Sequence, residues 1–477
     1  MLEKRDFYIN GQWVKPTLAN DLNVINPANE ETCAVISLGS QADTDAAVAA
    51  AKAAFEPWAM TPKNERIDLI KALFAEYNNR AGDMAEAISM EMGAPIDMAR
   101  AAQTGAGLWH IKGFIDSFDK IKFEESPWPQ TPGEKIYREP IGVCAMITPW
   151  NWPMNQVTLK VIPALAVGCT VVLKPSEESP LSSIVFSEIV DKAGFPKGVF
   201  NMLNGDGVGV GSQLSAHADV DMISFTGSTR AGRLITKSAA ETIKRVTLEL
   251  GGKGANIVFA DADEKAVIRG VRHCFGNTGQ SCNAPTRMLV ERSRYEQAVE
   301  QAAAEAEKTV VNDPAQSGRH LGPVVNKLQF DKIQGLIEVG MGEARLVAGG
   351  LGRPEGLNRG YYVRPTVFAD VTNDMTIARE EVFGPVLSII PFDSEEEAIQ
   401  ITNDTVYGLT NYIQTQDPAK ADRVARRVRS GMVRINGSDS AHPSPFGGYK
   451  QSGNGREGGV WGLEDFLEVK HVTGLVS

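Results

Sequence analysis

The sequence predicts an α/β protein built on parallel sheets. Three observations carry that expectation. Continuously apolar runs at 142–150, 170–176, 199–205, 222–228 and 245–252 follow one another with centres about 23 to 29 residues apart. Helix-like segments such as NQVTLKVIPALAV and SSIVFSEIVDKAG separate them. Strands that are apolar throughout are buried on both faces, and the intervening helices are the crossovers that a parallel arrangement requires. Every run also ends in polar or turn-forming residues: TPWN, KPSE, NGDG, TGST and ELGG. In parallel sheets the ligand crevice lies at the carboxyl ends of the strands, so these five tails are expected to converge on one site.

Before the strands, residues 43–103 read as helical. DTDAAVAAAKAAFEPW opens with acidic residues and Thr44 and has an alanine-rich interior. NERIDLIKALFAEYNNRAG follows, with Ile67, Ile70, Leu73, Phe74 and Tyr77 at 3/4 spacing and Gly82 just beyond. GDMAEAISMEMGAP makes a third helix, stopped by Gly93 and Pro95. After the five runs a second alternating stretch begins at GANIVFAD and extends to about Asn436, with strand-like RMLVERS and PVLSIIPF. Its helices are YEQAVEQAAAEAEKTV and PAKADRVARRVRSG. The cluster Arg423, Arg426, Arg427 and Arg429 reads as the solvated face of a helix closed by Gly431. The ending FLEVKHVTGLV alternates and reads as an edge strand that pairs with something distant in sequence, another subunit included.

Composition excludes several classes. A chain of 477 residues with 43% hydrophobic and 22% charged residues needs neither disulfides nor structural metals to build a core. Its net charge of −11 has the wrong sign for a general binder of nucleic acid or anionic membranes. The start MLEKRDFYINGQWV carries charges where a signal peptide needs an apolar run, and no segment approaches a membrane span. Cys33, Cys144, Cys169, Cys274 and Cys282 are odd in number and form no CxxC, and no HxxxH pair occurs. A reducing, cytoplasmic setting without a metal site is therefore expected.

Motif tests narrow the chemistry further. GDGVGVG (205–211) fails the dinucleotide fingerprint, because Val210 and Ser212 stand at the third-glycine positions. GGKG (251–254) lacks the Ser or Thr of a phosphate loop. Gly279–Ser281 continues to Asn283 and not to glycine, so there is no nucleophile elbow. Cys282, in GNTGQSCNAPTR, has glycine and small polar neighbours where a structural thiol prefers aliphatic ones. It is the candidate reactive cysteine, and the other four read as inert core.

These motifs together resemble the NAD(P)-dependent aldehyde dehydrogenase superfamily. The resemblance rests on PWNWP (149–153), KPSE (174–177), FTGSTxxG (225–232), LELGGK (248–253), GQSC (279–282), EEVFGP (380–385) and PFGGYKQSG (445–453), in order along nearly the whole chain. It implies a Rossmann-type NAD domain (1–117 and 141–250), an α/β catalytic domain (251–450) and a small β flap for oligomerisation (118–140 and 460–477). It also implies a homodimer or homotetramer.

The resemblance assigns Cys282 as the nucleophile, Asn151 as the oxyanion donor and Glu249 as the base that activates water. Family members that deliver the acyl group to coenzyme A tend to lack a glutamate at that position. Oxidation of an aldehyde to a carboxylic acid is therefore expected, with a coenzyme A-acylating semialdehyde dehydrogenase as the alternative. For the cofactor it assigns Trp150, Lys174, Glu177, Gly227, Ser228, Gly232, Lys332, Glu381 and Phe383. A carboxylate at Glu177 accepts ribose hydroxyls and repels a 2′-phosphate, favouring NAD over NADP. The implied substrate tunnel comprises Trp152, Gln156, Leu159, Ser281, Asn283 and Phe446. No arginine is evident for gripping a carboxylated aldehyde, although Arg287 lies close by in sequence. His442 is read as a rim residue.

Overall fold

The five apolar runs form five adjacent parallel strands, Val143–Ile147, Thr170–Lys174, Phe200–Met202, Met222–Thr226 and Arg245–Glu249. They belong to a computed structural model that describes residues 1–131, 133–441 and 443–475. In space Arg245–Glu249 lies beside Met222–Thr226, followed by Val143–Ile147, Thr170–Lys174 and Phe200–Met202. The chain thus winds outward from Val143–Ile147 in one direction and then returns to wind outward in the other. A topological switch point falls between Val143–Ile147 and Met222–Thr226, where a crevice must open. Register aligns the strand ends: Ile147 faces Lys174 and Phe225, and Thr226 faces Glu249. Short antiparallel strands close the two edges, Gly453–Asn454 on one side and Phe7–Ile9 with Gln12–Val14 on the other.

A second sheet has seven strands, ordered Arg345–Ala348, Thr366–Ala369, Val386–Phe392, Arg287–Glu291, Ala255–Val258, Thr410–Gln414 and Met432–Ile435. All pairs are parallel except the first. The chain leaves the first sheet at Glu249 and enters the second at Ala255, through residues 250–254. The carboxyl edge of the first sheet therefore meets the amino edge of the second. Glycines permit the close approach: a Cβ on Gly252 would lie 2.3 Å from the carbonyl oxygen of Cys282.

Helices cover the first sheet. Gln41–Ala59 is capped by Ser40, whose hydroxyl accepts from the Asp43 N–H while Asp43 reaches back to the Ser40 backbone. Pro153–Val167 starts with proline in its first turn, is buried except at the half-buried Asn155 and ends at Gly168, whose φ is +108°. Two small sheets complete the described chain. Leu467–Val472 pairs antiparallel with Lys135–Pro140, whose other edge carries Glu124–Glu125. Leu2–Glu3, Glu31–Ser37 and Asp21–Asn26 form the other.

Several expectations need correction. Gly82 does not end the second helix, which stops at Asn79; it lies inside the next, Ala81–Met92. Helical structure also continues past residue 103, through a π-helical turn at Ala99–Gln103 and on to Phe118. The arginine-rich helix ends at Arg427, because Val428 is already extended, so Gly431 is not its stop. Its arginines do face solvent, paired with Glu395, Asp422 and Glu396. The expectation that the C-terminal strand pairs with a segment distant in sequence holds, its partner being Lys135–Pro140 of the same chain.

Candidate active site

Cys282 is presented by a backbone that passes through the left-handed region at three consecutive residues. Asn277, Thr278 and Gly279 take φ values of +53°, +57° and +72° in succession. Left-handed non-glycine residues cost about 1–3 kcal/mol each and persist only where the surroundings hold them. Here Asn277 Nδ2 donates to the carbonyls of Asn151 at 2.9 Å and Gln280 at 3.1 Å. Thr278 Oγ1 donates to the Gly322 carbonyl at 3.1 Å, and Gln280 Oε1 accepts from the Val325 N–H at 2.9 Å. A Cβ on Gly279 would lie 2.0 Å from the Gly384 carbonyl oxygen, so the loop is clamped against EEVFGP.

The half-buried Cys282 borders two cavities. One, of about 480 Å³, is lined by Trp152, Gln156, Leu159, Asn283 and Phe446, with Trp109, His110, Arg434 and Asp439 among the others. The second, of about 150 Å³, lies at the switch point and is lined by Trp150, Asn151, Thr226, Gly227, Ser228, Lys332, Glu381 and Phe383. Burial pushes the Cys282 thiol well above the ordinary cysteine range, and the carboxylates of Glu381, Glu249 and Glu457 push the same way. The thiol is thus held protonated in this arrangement, and its attack requires that the proton be taken away.

Asn151 is buried at the start of the helix after the first strand, and its side-chain amide donates to the Gln280 carbonyl at 3.0 Å. Glu249, at the end of its strand, is buried with both carboxylate oxygens lacking a partner among the described residues. It lines neither cavity; a Cβ on Gly447 would lie 2.9 Å from its Oε1. Burial raises its pKa well above the usual value and the charge of Glu457 adds to this, while Lys160 and Arg456 oppose. Glu457 is ion-paired with the buried Lys160. A carboxylate without hydrogen bonds in such a setting holds a proton more tightly than an ordinary carboxylate and is suited to proton transfer.

The smaller cavity fits a phosphorylated, ribose-bearing group. Thr226 Oγ1 is buried there and unpartnered among the described residues. Ser228, which lines the cavity, caps the helix Thr229–Ala239 by accepting the Ala231 N–H, so that helix starts at the cavity. Gly232 lets this helix approach closely, since its Cβ would come within 2.9 Å of Leu250 Cδ2. Glu381 Oε1 accepts the Gly252 N–H at 2.8 Å, and burial raises its pKa. The Phe383 ring meets Trp150 edge-on at 5.5 Å, and Lys332 Nζ donates to the Glu381 carbonyl at 2.8 Å. Lys174 and Glu177 lie one strand further along, outside this cavity; the buried Lys174 donates to Glu177 at 3.2 Å.

Two sequence-based assignments change, and a third falls outside the described residues. Ser281 does not line the larger cavity, because its hydroxyl is taken by the Trp152 indole N–H at 2.8 Å. Arg287 is fully buried and cannot meet a substrate: it donates to the Lys253, Ile401 and Thr402 carbonyls and to Asn373. His442 lies outside the described residues. Sequence reasoning missed Gln103, Lys160, Glu457 and Arg434. Glu457 alone had a signal in its neighbourhood, since it follows PFGGYKQSG by a few residues. Among the described residues no group of three or more His, Cys, Asp or Glu side chains could hold a metal ion. No helix of the described chain is long and apolar enough to cross a membrane.

Known proteins are similar to this chain along nearly its whole length. A 3-succinoylsemialdehyde-pyridine dehydrogenase of a Pseudomonas species is 50% identical over 477 residues, 99% of each chain. The crystal structure of an aldehyde dehydrogenase from Bartonella henselae superimposes with a TM-score of 0.98 at 59% identity, covering 99% of this chain and 100% of that one. A Cys-to-Ala mutant of aldehyde dehydrogenase C from Pseudomonas syringae, solved with NAD+ and octanal, gives 0.97 at 49% identity over 99% and 97% of the two chains. The model of the aldehyde dehydrogenase family matches residues 13–472, and the chain belongs to that family.

Proposed function

We propose that the protein oxidises an aldehyde to a carboxylic acid with NAD+, using Cys282 as nucleophile. The observation that carries the reading is the position of Cys282 at the boundary of both cavities, so that one sulfur can face substrate on one side and cofactor on the other. The aldehyde enters the larger cavity and NAD+ the smaller one. When bound, NAD+ supplies the acceptor for a hydride.

The Cys282 thiol gives its proton to water and the sulfur adds to the aldehyde carbonyl, forming a C–S bond and an alkoxide. One N–H of Asn151 is already held by Gln280. The other, with the Cys282 backbone N–H, donates to the alkoxide; one such donor contributes roughly 3 kcal/mol. Collapse of the alkoxide expels hydride from the same carbon and leaves a thioester on Cys282. Glu249 then takes a proton from water, the hydroxide adds to the thioester, and the C–S bond breaks to give the acid and the thiolate. Aldehyde, NAD+ and water become carboxylate, NADH and two protons.

Within this reading the first sheet with its helices (1–117 and 141–250) carries NAD. The second (251–450) carries the nucleophile, and the flap (118–140 and 460–477) joins subunits. The exposed Val469, on the free edge of Leu467–Val472, supports the last assignment. The Lys174–Glu177 pair supports NAD over NADP, since a carboxylate there repels a 2′-phosphate. The test is NADH formation from propanal with and without coenzyme A. Water-dependent acid formation indifferent to coenzyme A is expected, and strict dependence on coenzyme A overturns the hydrolytic step. Cys282→Ala is expected to abolish turnover while retaining NAD+ binding; unchanged turnover removes Cys282 from the chemistry.

A further inference from the structure

The larger cavity is lined by a guanidinium with few partners among the described residues. Arg434 lies on Met432–Ile435, the edge strand of the second sheet, and lines the cavity that Cys282 borders. Strand register sets Arg434 directly beside Tyr412, so both side chains leave the same face of the sheet. Tyr412 points at the catalytic loop, because its hydroxyl donates to the Asn283 carbonyl at 2.7 Å. Arg434 is therefore directed at the same space one strand further out.

A guanidinium has five N–H donors. The hydrogen bond that Arg434 makes among the described residues runs from Nη2 to Ser440 Oγ, at a long 3.3 Å. Asp439 shares the cavity lining, yet no described carboxylate forms an ion pair with Arg434. Most other arginines nearby in the chain are engaged: Arg423, Arg426 and Arg427 each pair with a carboxylate. The neighbours of Arg434 cannot neutralise it either. His273 is pushed down to about 4, by burial first and by the Arg434 charge second, so it stays uncharged. The Tyr412 hydroxyl is committed to Asn283. A half-buried, unneutralised fork of donors in a substrate cavity is a receptor for a planar anion, which it can bind through two parallel hydrogen bonds.

We propose that Arg434 determines specificity, by receiving a carboxylate at the end of the substrate remote from the aldehyde. The cavity then selects semialdehydes of dicarboxylic acids over uncharged aldehydes of the same length. This inference rests on the reading of Cys282 as the nucleophile.

The experiment compares succinic, glutaric and adipic semialdehydes with butanal, pentanal and hexanal, for the wild type, Arg434→Met and Arg434→Lys. At least one semialdehyde is expected to exceed its uncharged counterpart in kcat/KM. Arg434→Met is expected to cut that advantage by about 10-fold or more, mainly through KM, the loss of a charge-assisted hydrogen bond pair. Arg434→Lys should restore part of it. Equal losses on charged and uncharged aldehydes point to a structural role and overturn the proposal, as does an unchanged preference. A wild type inactive on all six aldehydes overturns the parent reading as well, whereas activity on uncharged aldehydes with indifference to Arg434 overturns this assignment alone.

Discussion

The Gln103 side-chain amide donates to the Asn151 backbone carbonyl at 3.1 Å, from a helix that belongs to neither strand end of the site. The same nitrogen lies 3.2 Å from Asn277 Oδ1, so one buried amide joins Asn151 to the loop that carries Cys282. Gln103→Leu removes both bonds: the buried Asn277 Oδ1 loses its donor, and the Asn151 carbonyl keeps only Asn277 Nδ2. A loss of about 1–3 kcal/mol of stability is expected, measured by urea unfolding. The kcat should fall more than the KM rises, since the displaced Asn151 serves the transition state. Unaltered kcat would show that the loop holds its geometry without Gln103.

Gly279 admits no side chain. Its φ is +72°, and a Cβ would stand 2.0 Å from the Gly384 carbonyl oxygen, a backbone atom that cannot rotate away. Gly279→Ala must therefore separate the nucleophile loop from EEVFGP. Shifts on the order of 1 Å in such positioning cost roughly 100-fold in rate. The expected outcome is a kcat lowered about 100-fold, together with a weakened NAD+ affinity because Glu381 and Phe383 move with Gly384. Fluorescence titration of NAD+ checks the second effect. Wild-type values for both would mean that the two loops are not mechanically joined.

The parallel strands of the first sheet were legible because a strand buried on both faces leaves an unbroken apolar run, as in VCAMI and TVVLK. Cys282 was legible for a related reason, since glycine and small polar neighbours betray a backbone held in unusual conformations. What escaped notice acts through space. Gln103 sits on a π-helical turn, whose extra residue rotates it off the periodic face that the flanking helices display. Lys160 reads as one polar residue in an apolar helix until Glu457, distant in sequence, supplies its partner. Arg434, within MVRI, looks like the solvent side of an alternating strand, and only the folded chain puts a cavity against it. Gly82 and Gly431 misled because glycine marks helix ends statistically, whereas these two lie inside a helix and beyond one.

Glu91 gives the folded chain a pH dependence away from the site. It is fully buried, and its carboxylate accepts the N–H groups of Leu181 and Ser182 at the start of the helix Leu181–Ala193. Burial nevertheless raises its pKa from 4.5 to about 8. A carboxyl raised on folding binds its proton more tightly in the native state. Its contribution to stability is complete below the unfolded value and is lost as pH climbs through the folded one. Urea midpoints of the wild type should thus fall between pH 5 and pH 8, and Glu91→Gln should flatten that decline. Identical slopes for the two proteins would mean that Glu91 keeps the same protonation throughout.

The proton affinity of Glu249 is set by the charges around it, and two substitutions should move it in opposite directions. Burial and the Glu457 carboxylate raise it, and Lys160 lowers it. A base must be ionised to act, so the rate of thioester hydrolysis rises with pH through the Glu249 pKa. Glu457→Gln removes a charge that disfavours ionisation and leaves Lys160 unopposed, so the limb should move to lower pH. Lys160→Met removes a charge that favours ionisation, so the limb should move to higher pH. That variant also strands Glu457 in the interior, where protonation of Glu457 itself will trim the shift. Each displacement is expected to be on the order of one pH unit, the equivalent of about 1.4 kcal/mol of interaction. Single-turnover hydrolysis of a preformed acyl-enzyme across pH reads the limb directly. Shifts of the same sign in both variants would detach Glu249 from the Lys160–Glu457 pair and require another base for the water.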